Sequence, residues 1–443
     1  MKRTPFALFT LWLLAALLIG CSAPAPSQTP VKSPGLTRTP APAQTPRPPS
    51  AATATPMSDI ITLTWWTPEF LSPKAPAPAG PLLAQYLADF AATSGGKVRV
   101  TPVLKARYGK GGLLDFLRTA APVAPSVLPD IVALDVVELE QAVSLGLAQP
   151  LDGVISQDIT STLYSFARQE VVFDGRAMAT PLLADLEHVI YNRDRISQPP
   201  NTWTGVLAAK IPCLFPLNTP QAPSLAGAPE GVPSSFLSQY IAAGATYNPE
   251  TRQLALESEP LLRVLSFYRD ASDAGLLPQN IGDGSDLDQI WNAYAQNNAV
   301  MADVSARRYL VNRESLASTS YAPAPGWSEP APPIGGGWVL AITTTDQVRQ
   351  KAAADLIGWL MAPERAGPLA QAAGWLPTSP EALTIWGANP YYEFLDGQLT
   401  AALPHPVGPE YVQIAARFQK AIAAVLKGNM APADAVQAAI STK

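Results

Sequence analysis

Cysteine and histidine are nearly missing from this 443-residue chain, with two of each. Cys21 and Cys213 supply neither a disulfide framework nor a cysteine-rich zinc site. His188 and His405 leave little room for histidine-rich metal sites or for most histidine-based catalysis. Charge is also thin: 15% of residues are Asp, Glu, Lys or Arg, against roughly 25% in ordinary soluble chains. The formal net charge is −5, so neither a basic excess for nucleic acid nor an acidic tail is present. Hydrophobic residues make up 47%, which is ample for a large core.

Catalytic and nucleotide motifs are missing as well. No G-x-S-x-G occurs, and a serine triad would have to recruit His188, which sits in an apolar strand pattern, or His405, flanked by Pro404 and Pro406. "RYGKGGLL" (107–114) lacks phosphate-loop spacing and follows no strand directly, so a loop leading into a helix is expected. "GDGSDLD" (282–288) lacks the order and closing Glu of a calcium loop, and implies helix capping by Ser285 or Asp286. No metal and no cofactor is expected. A carboxylate pair for glycoside hydrolysis depends on spatial separation, which a sequence does not carry.

What is present begins at the N-terminus. Lys2 and Arg3 precede an apolar run to Ile19, the pattern of an export signal and too short for a comfortable span. It ends in Leu18-Ile19-Gly20-Cys21, which resembles a bacterial lipobox and implies cleavage after residue 20 and acylation of Cys21. Ten of residues 22–58 are proline, the rest mostly Thr, Ala and Ser without apolar period, so 21–58 is expected to be a disordered tether. A chain of this composition favours polyproline geometry at ~3.1 Å per residue, a reach on the order of 100 Å. The expectation is an extracytoplasmic protein, lipid-anchored to the cell membrane.

The remainder is too long for one core of ~250–300 residues, so two domains are expected. Strand and helix patterns alternate: "DIITLTWW" (59–66), "PLLAQYLADFAA" (81–92), "KVRVTPVL" (97–104), "GLLDFLRTAA" (112–121), "PDIVALD" (129–135) and "VVELEQAVSLG" (136–146). That order implies an α/β fold with parallel strands and ligand loops beyond their carboxyl ends, here after Trp66 and after Leu134. A hairpin about Asp174-Gly175 and a strand at 188–192 follow, then loop-rich chain with helices at 259–275 and 286–298 and a strand at 299–304. After 346 the chain is mostly helical. In "IGGGWVLAITTTD" (334–346) glycines precede a strand, and the next helix follows threonines, the reverse of a dinucleotide loop. Such glycines let backbone approach a ligand or a neighbouring segment closely. Tryptophan is plentiful at 10, with Trp66, Trp327, Trp338 and Trp375 at strand ends or beside glycine, where an indole face suits a sugar ring.

The segments "ITLTWWTPE", "LPDIVALDVVELEQAVSLGLAQPLD", "GRAMATPLLADLEHVIYNRDRI", "NAVMADVS", "GGGWVLAITTTDQVRQKAAADLIGWLMAPERAGPLAQAAGWLPTSPEAL" and "VLKGNMAPADAVQAAI" come in one order. That order resembles the family 1 extracellular solute-binding proteins of ABC importers, the maltose-binding type. The resemblance implies a two-lobed periplasmic-binding-protein-like fold (type II), each lobe a mostly parallel sheet flanked by helices, with the ligand cleft at the hinge. It assigns 59–185 plus 318–341 to one lobe and 188–315 plus 342–443 to the other, with crossings near Ala184–Glu187, Leu316–Thr319 and Ile342. Position by position it implies ligand contacts from Trp66, Thr67, Glu69, Asp135, Asp185, Arg307, Trp338 and Trp375. The loop at Leu134 to Val137 lacks the aromatic side chains sugar binders often add, a departure from the maltose pattern. Implied partners are a small solute, most naturally a sugar or oligosaccharide, ABC permease subunits, and the membrane through the lipid; a monomer without catalytic residues is expected. A sensor of the same fold and a surface glycoside hydrolase are the alternatives. Trp338→Ala is expected to weaken solute binding while leaving the melting temperature nearly unchanged.

Overall fold

The computed structural model describes residues 60–217, 232–277, 286–428 and 430–441. The signal segment 1–20, Cys21, the tether 21–58 and Ser285 lie outside the described residues. The described residues all fall in one compact unit, Ser58–Lys443.

Twelve strands are present among the described residues: β1 (Ile61–Thr67), β2 (Val98–Leu104), β3 (Ile131–Asp135), β4 (Val172–Phe173), β5 (Arg176–Ala177), β6 (Thr180–Asn192), β7 (Cys213–Leu214), β8 (Tyr247–Asn248), β9 (Gln253–Leu254), β10 (Met301–Ser305), β11 (Thr319–Ala322) and β12 (Gly335–Ile342). Eight of them form one sheet in the order β2-β1-β3-β12-β6-β10-β7, with β11 also on β6. The alternating sequences of the first half produce the parallel flank β2-β1-β3. The first helices supply one buried stripe each: Leu83, Leu87 and Phe90 at helical spacing in Ala79–Thr93, and Leu113, Leu114 and Leu117 in Leu113–Ala120. The apolar centre of β3, Ile131 to Leu134, is buried throughout, as a strand covered on both faces must be. The centre of the sheet is antiparallel: β12 runs against β3 and β6, and β6 runs against β10 and β11.

β6 organises the molecule. A hairpin at Asp174-Gly175 and a strand at 188–192 are expected from sequence; the hairpin forms as β4-β5, but the strand begins at Thr180 and runs unbroken for 13 residues. Thr180 to Leu186 pair with β12, and Glu187 to Tyr191 pair with β10. Three cores lie along this axis. The first holds Leu63, Trp65, Leu83, Leu134, Leu340 and Leu356; the second Trp203, Phe236, Tyr240, Tyr268 and Phe418; the third Phe166, Leu186, Val304, Tyr309 and Tyr391.

The packing differs from the expected partition in two segments. β11 joins the far half of β6, and Ala324, Ala331 and Ile334 pack in the second core, so the chain returns to the first sheet at Gly335 rather than at 318. The helices Gln347–Met361 and Pro363–Ala373 pack in the first core, so no crossing occurs at Ile342; the chain next meets β6 at Leu376, which exchanges backbone hydrogen bonds with Ala184. The physical reason is continuity: β12 ends against β3, and a helix that follows it directly covers the same sheet.

The glycines before Trp338 do bring backbone close, but to a neighbouring strand and ring. A Cβ at Gly335 would fall 2.2 Å from the Phe166 ring, and one at Gly337 2.0 Å from the Leu183 carbonyl oxygen. Gly337 also has φ +146, beside a register shift in the β12-β6 ladder. A Cβ at Gly336 would meet nothing within 4 Å. Gly337→Ala is therefore expected to cost on the order of 1–3 kcal/mol, and Gly336→Ala no more than about 0.5 kcal/mol. Urea unfolding midpoints of the two variants check the contrast; equal midpoints would refute it.

Candidate functional site

The loops after β1, β2 and β3 meet the middle of β6 and the start of β12. Trp338 on β12 pairs with Asp135 on one side and Leu183 on the other, and Gly336 pairs with Asp185. Because paired residues share a sheet face, Asp135, Trp338 and Asp185 project from the same face. At ~4.8 Å per strand and ~3.3 Å per residue, the two aspartates are about 12 Å apart at the backbone.

Both carboxylates are held by donors. Asp135 caps the helix Val136–Ser144, accepting from the Val137 amide at 3.2 Å, while its other oxygen accepts from the Tyr108 hydroxyl. Asp185 accepts from the Ser305 hydroxyl at 2.6 Å, the Arg307 amide at 3.1 Å and the Leu186 amide at 3.0 Å. It thus caps the helix Ala306–Asn312 from a neighbouring strand. Burial pushes both carboxyls up from their usual range; Tyr108 opposes this at Asp135, and Arg307 opposes it at Asp185. Glu138, one turn into the helix that Asp135 caps, is pushed up to about 8 by burial and by the charge of Asp135.

Aromatic rings fill the space between. The turn Glu69–Leu71 follows β1 and carries Phe70, whose ring lies edge-on to Trp338 at 5.0 Å and tilted against Trp375 at 5.0 Å. Trp375 follows Gly374, whose left-handed φ of 69° ends the helix Pro363–Ala373 and turns the chain toward β6. Tyr108 stands 6.0 Å from Trp338. Two guanidiniums cover rings, Arg107 over Phe70 at 4.9 Å and Arg307 over Trp375 at 4.3 Å. Glu69 is ion-paired to Arg107. Burial alone would raise its carboxyl; the hydrogen bond from Arg107 and the charges of Arg107 and Arg307 outweigh that and hold it below the usual range.

Of the eight residues singled out from sequence, Glu69, Asp135, Asp185, Arg307, Trp338 and Trp375 come together here. Trp66 and Thr67 do not present themselves in the same way. The Trp66 indole, 4% exposed, packs edge-on to Phe116 and under the Lys105 ammonium; the fully buried Thr67 hydroxyl donates to the Leu71 carbonyl and pins the turn. Sequence reasoning missed Phe70, Arg107 and Tyr108. Their signal was available, since the loop after β2 ends at the same sheet edge as the loops after β1 and β3. "RYGKGGLL" reads from sequence as a loop leading into a helix; in the structure it does so, with Asp115 of that helix accepting from the Gly111 amide. His188 is fully buried, bonded to the Tyr391 hydroxyl at 2.8 Å, and burial lowers it to about 4. Asp286 forms a capping box with Gln289. Among the described residues no group of three or more His, Cys, Asp or Glu side chains is placed to hold a metal ion, and no helix is long and apolar enough to cross a membrane.

Carboxylates and rings in edge-on or tilted contact gather at the loop edge of this α/β sheet, where such folds place small-molecule sites. Comparison with known proteins places it further: the bacterial extracellular solute-binding protein family matches residues 85–391, and the chain belongs to that family. Its fold is that of solved sugar-binding proteins. A cyclic alpha-maltosyl-1,6-maltose binding protein from Arthrobacter globiformis superposes with TM-score 0.68 at 18% identity, over 86% of this chain and 97% of that one. A cyclo/maltodextrin-binding protein complexed with maltotetraose gives 0.67 at 18%, over 86% and 95%. The Thermus thermophilus maltotriose binding protein gives 0.62 at 19%, over 86% and 98%.

Trp338 is only 1% exposed and belongs to the first core. That overturns the expectation that its truncation would spare stability. Trp338→Ala is expected to cost about 3–5 kcal/mol, read as a clear fall in melting temperature by differential scanning calorimetry; an unchanged melting temperature would return the ring to a solvent-facing role.

Proposed function

We propose that this protein captures a carbohydrate between two lobes and delivers it to an ABC importer. Cys21 would be its lipid anchor and 22–58 its tether at the outer face of the membrane. The proposed lobes are 60–185 with 335–375, and 187–334 with 376–441, sharing β6. The single observation that carries the reading is Asp185. It stands where β6 passes from one set of partners to the other, partly exposed, between ring systems on one side and the start of the helix Ala306–Asn312 on the other. A carboxylate so placed accepts hydrogen bonds from the hydroxyls of a solute that also touches Trp375 and Arg307. Such a pairing of hydroxyl acceptors with apolar ring faces suits a sugar, which offers hydroxyls at its edges and C–H patches on its faces. The family, and the sugars that its structural neighbours bind, support the same class.

Isothermal titration calorimetry with a panel of oligosaccharides, monosaccharides, polyols, phosphorylated sugars and peptides tests it. Binding of at least one oligosaccharide is expected. Asp185→Asn should weaken that binding about ten- to hundredfold, the worth of one charged hydrogen bond. A panel in which only peptides bind, or an Asp185→Asn variant with wild-type affinity, would remove the reading.

A further inference from the structure

We propose that the Phe70 ring occupies the stacking surface of Trp375, so that a solute ring gains this indole only by exchanging with Phe70; the identity of the incoming ring rests on the carbohydrate reading above. Four side chains form a column. Arg107 lies over Phe70, Phe70 is tilted by 33° against Trp375 at 5.0 Å, and Arg307 lies over Trp375. Beneath it, Trp338 meets Phe70 and Trp375 edge-on. Trp338 and Trp375 are 1% and 6% exposed, whereas Phe70 is only partly buried. The phenyl ring therefore meets solvent where the indoles do not.

Two further features make Phe70 the exchangeable member. Its turn is short, with Leu71 the one residue of Glu69–Leu71 that is buried, and it is pinned at the ends rather than under Phe70 itself, by the Thr67 hydroxyl on the Leu71 carbonyl. A rotation of one side chain thus clears the surface without unfolding an element. The second feature is polar. The buried Trp375 Nε1 has no hydrogen-bond partner within the protein. A buried donor left unpaired is costly, and a phenyl ring has no lone pair to offer it. The N–H points out from the edge of the indole, so a sugar stacked on the ring reaches it with a hydroxyl that overhangs that edge, and exchange then replaces an apolar contact by a stacked ring plus an acceptor. Phe70 then acts as a selectivity filter: solutes that bring both a flat C–H face and an oxygen beside it displace the ring, and purely apolar ones gain nothing over it.

The full-length protein, Phe70→Ala and Phe70→Tyr are compared by acrylamide quenching of tryptophan emission without solute, with Trp375→Phe versions of each to identify the emitting residue. Phe70→Ala should raise the quenchable fraction, Phe70→Tyr should match the wild type, and the increase should vanish in the Trp375→Phe background. With maltotriose as the probe, Phe70→Ala should bind roughly two- to tenfold more tightly, the worth of one aromatic pair. Unchanged quenching in Phe70→Ala, or weaker maltotriose binding by it, would overturn the proposal, the latter by making Phe70 itself the stacking platform. If maltotriose binds no variant, that result counts against the carbohydrate reading alone, and the quenching comparison still decides the role of Phe70.

Discussion

The backbone ladder of β6 is the constraint on which the rest of the structure depends. Its first half is bonded to β12 and its second half to β10 and β11. One rigid strand therefore fixes the distance between the first core and the other two. It also fixes what can stand at the seam. Asp185 stands just before the change of partners between Leu186 and Glu187, and its carboxylate is tied to Ser305 and to the amide of Arg307 on the far side. The helix that carries Arg307 is thereby locked to the strand that carries Asp185, and Arg307 in turn lies over Trp375. A small solute that touches Asp185 touches groups tied to both halves of the sheet, which is the physical requirement for coupling binding to a change in their relation.

The chemistry of the site follows from which groups are already committed. Asp135 and Asp185 each accept from protein donors, yet each retains oxygen lone pairs beyond those used. Arg107 is committed to Glu69 and to Phe70, and Arg307 to Trp375. Trp375 Nε1 is left without an acceptor. Asp135 and Asp185 are pre-organised by their donors, and Trp338 and Trp375 by burial, whereas Phe70 is only partly buried. Among the described residues, His188 is bonded to Tyr391 in the third core, Cys213 lies buried in the second, and the His405 backbone amide donates to the Glu170 carboxylate.

Much of this was legible in the sequence, for local reasons. Alternation in "DIITLTWW" and the unbroken apolar run of "PDIVALD" announce β1 and β3, and Asp135 at the end of the latter is a helix cap as well as a candidate ligand. What failed was non-local. The helices after β12 carry apolar faces that suit any core, and only the tertiary structure shows that they pack in the first core rather than in the other two. Its place after three glycines suggests a solute-facing ring at Trp338; the glycines instead accommodate Phe166 and the Leu183 carbonyl, and the indole is drawn into the core beneath. Phe70 and Tyr108 carry no motif, and their place at the site comes from rings far apart in the chain meeting in space, Phe70 with Trp375 and Tyr108 with Trp338.

The central claim is that Asp185 and the surrounding rings receive a sugar. A crystal structure of the protein with the tightest-binding oligosaccharide of the calorimetric panel tests it most directly. The account predicts sugar hydroxyls within hydrogen-bond distance of the Asp185 carboxylate and a sugar ring against the Trp375 indole. An oligosaccharide bound elsewhere on the molecule, with Asp185 contacting only Ser305 and the Arg307 amide, would contradict it.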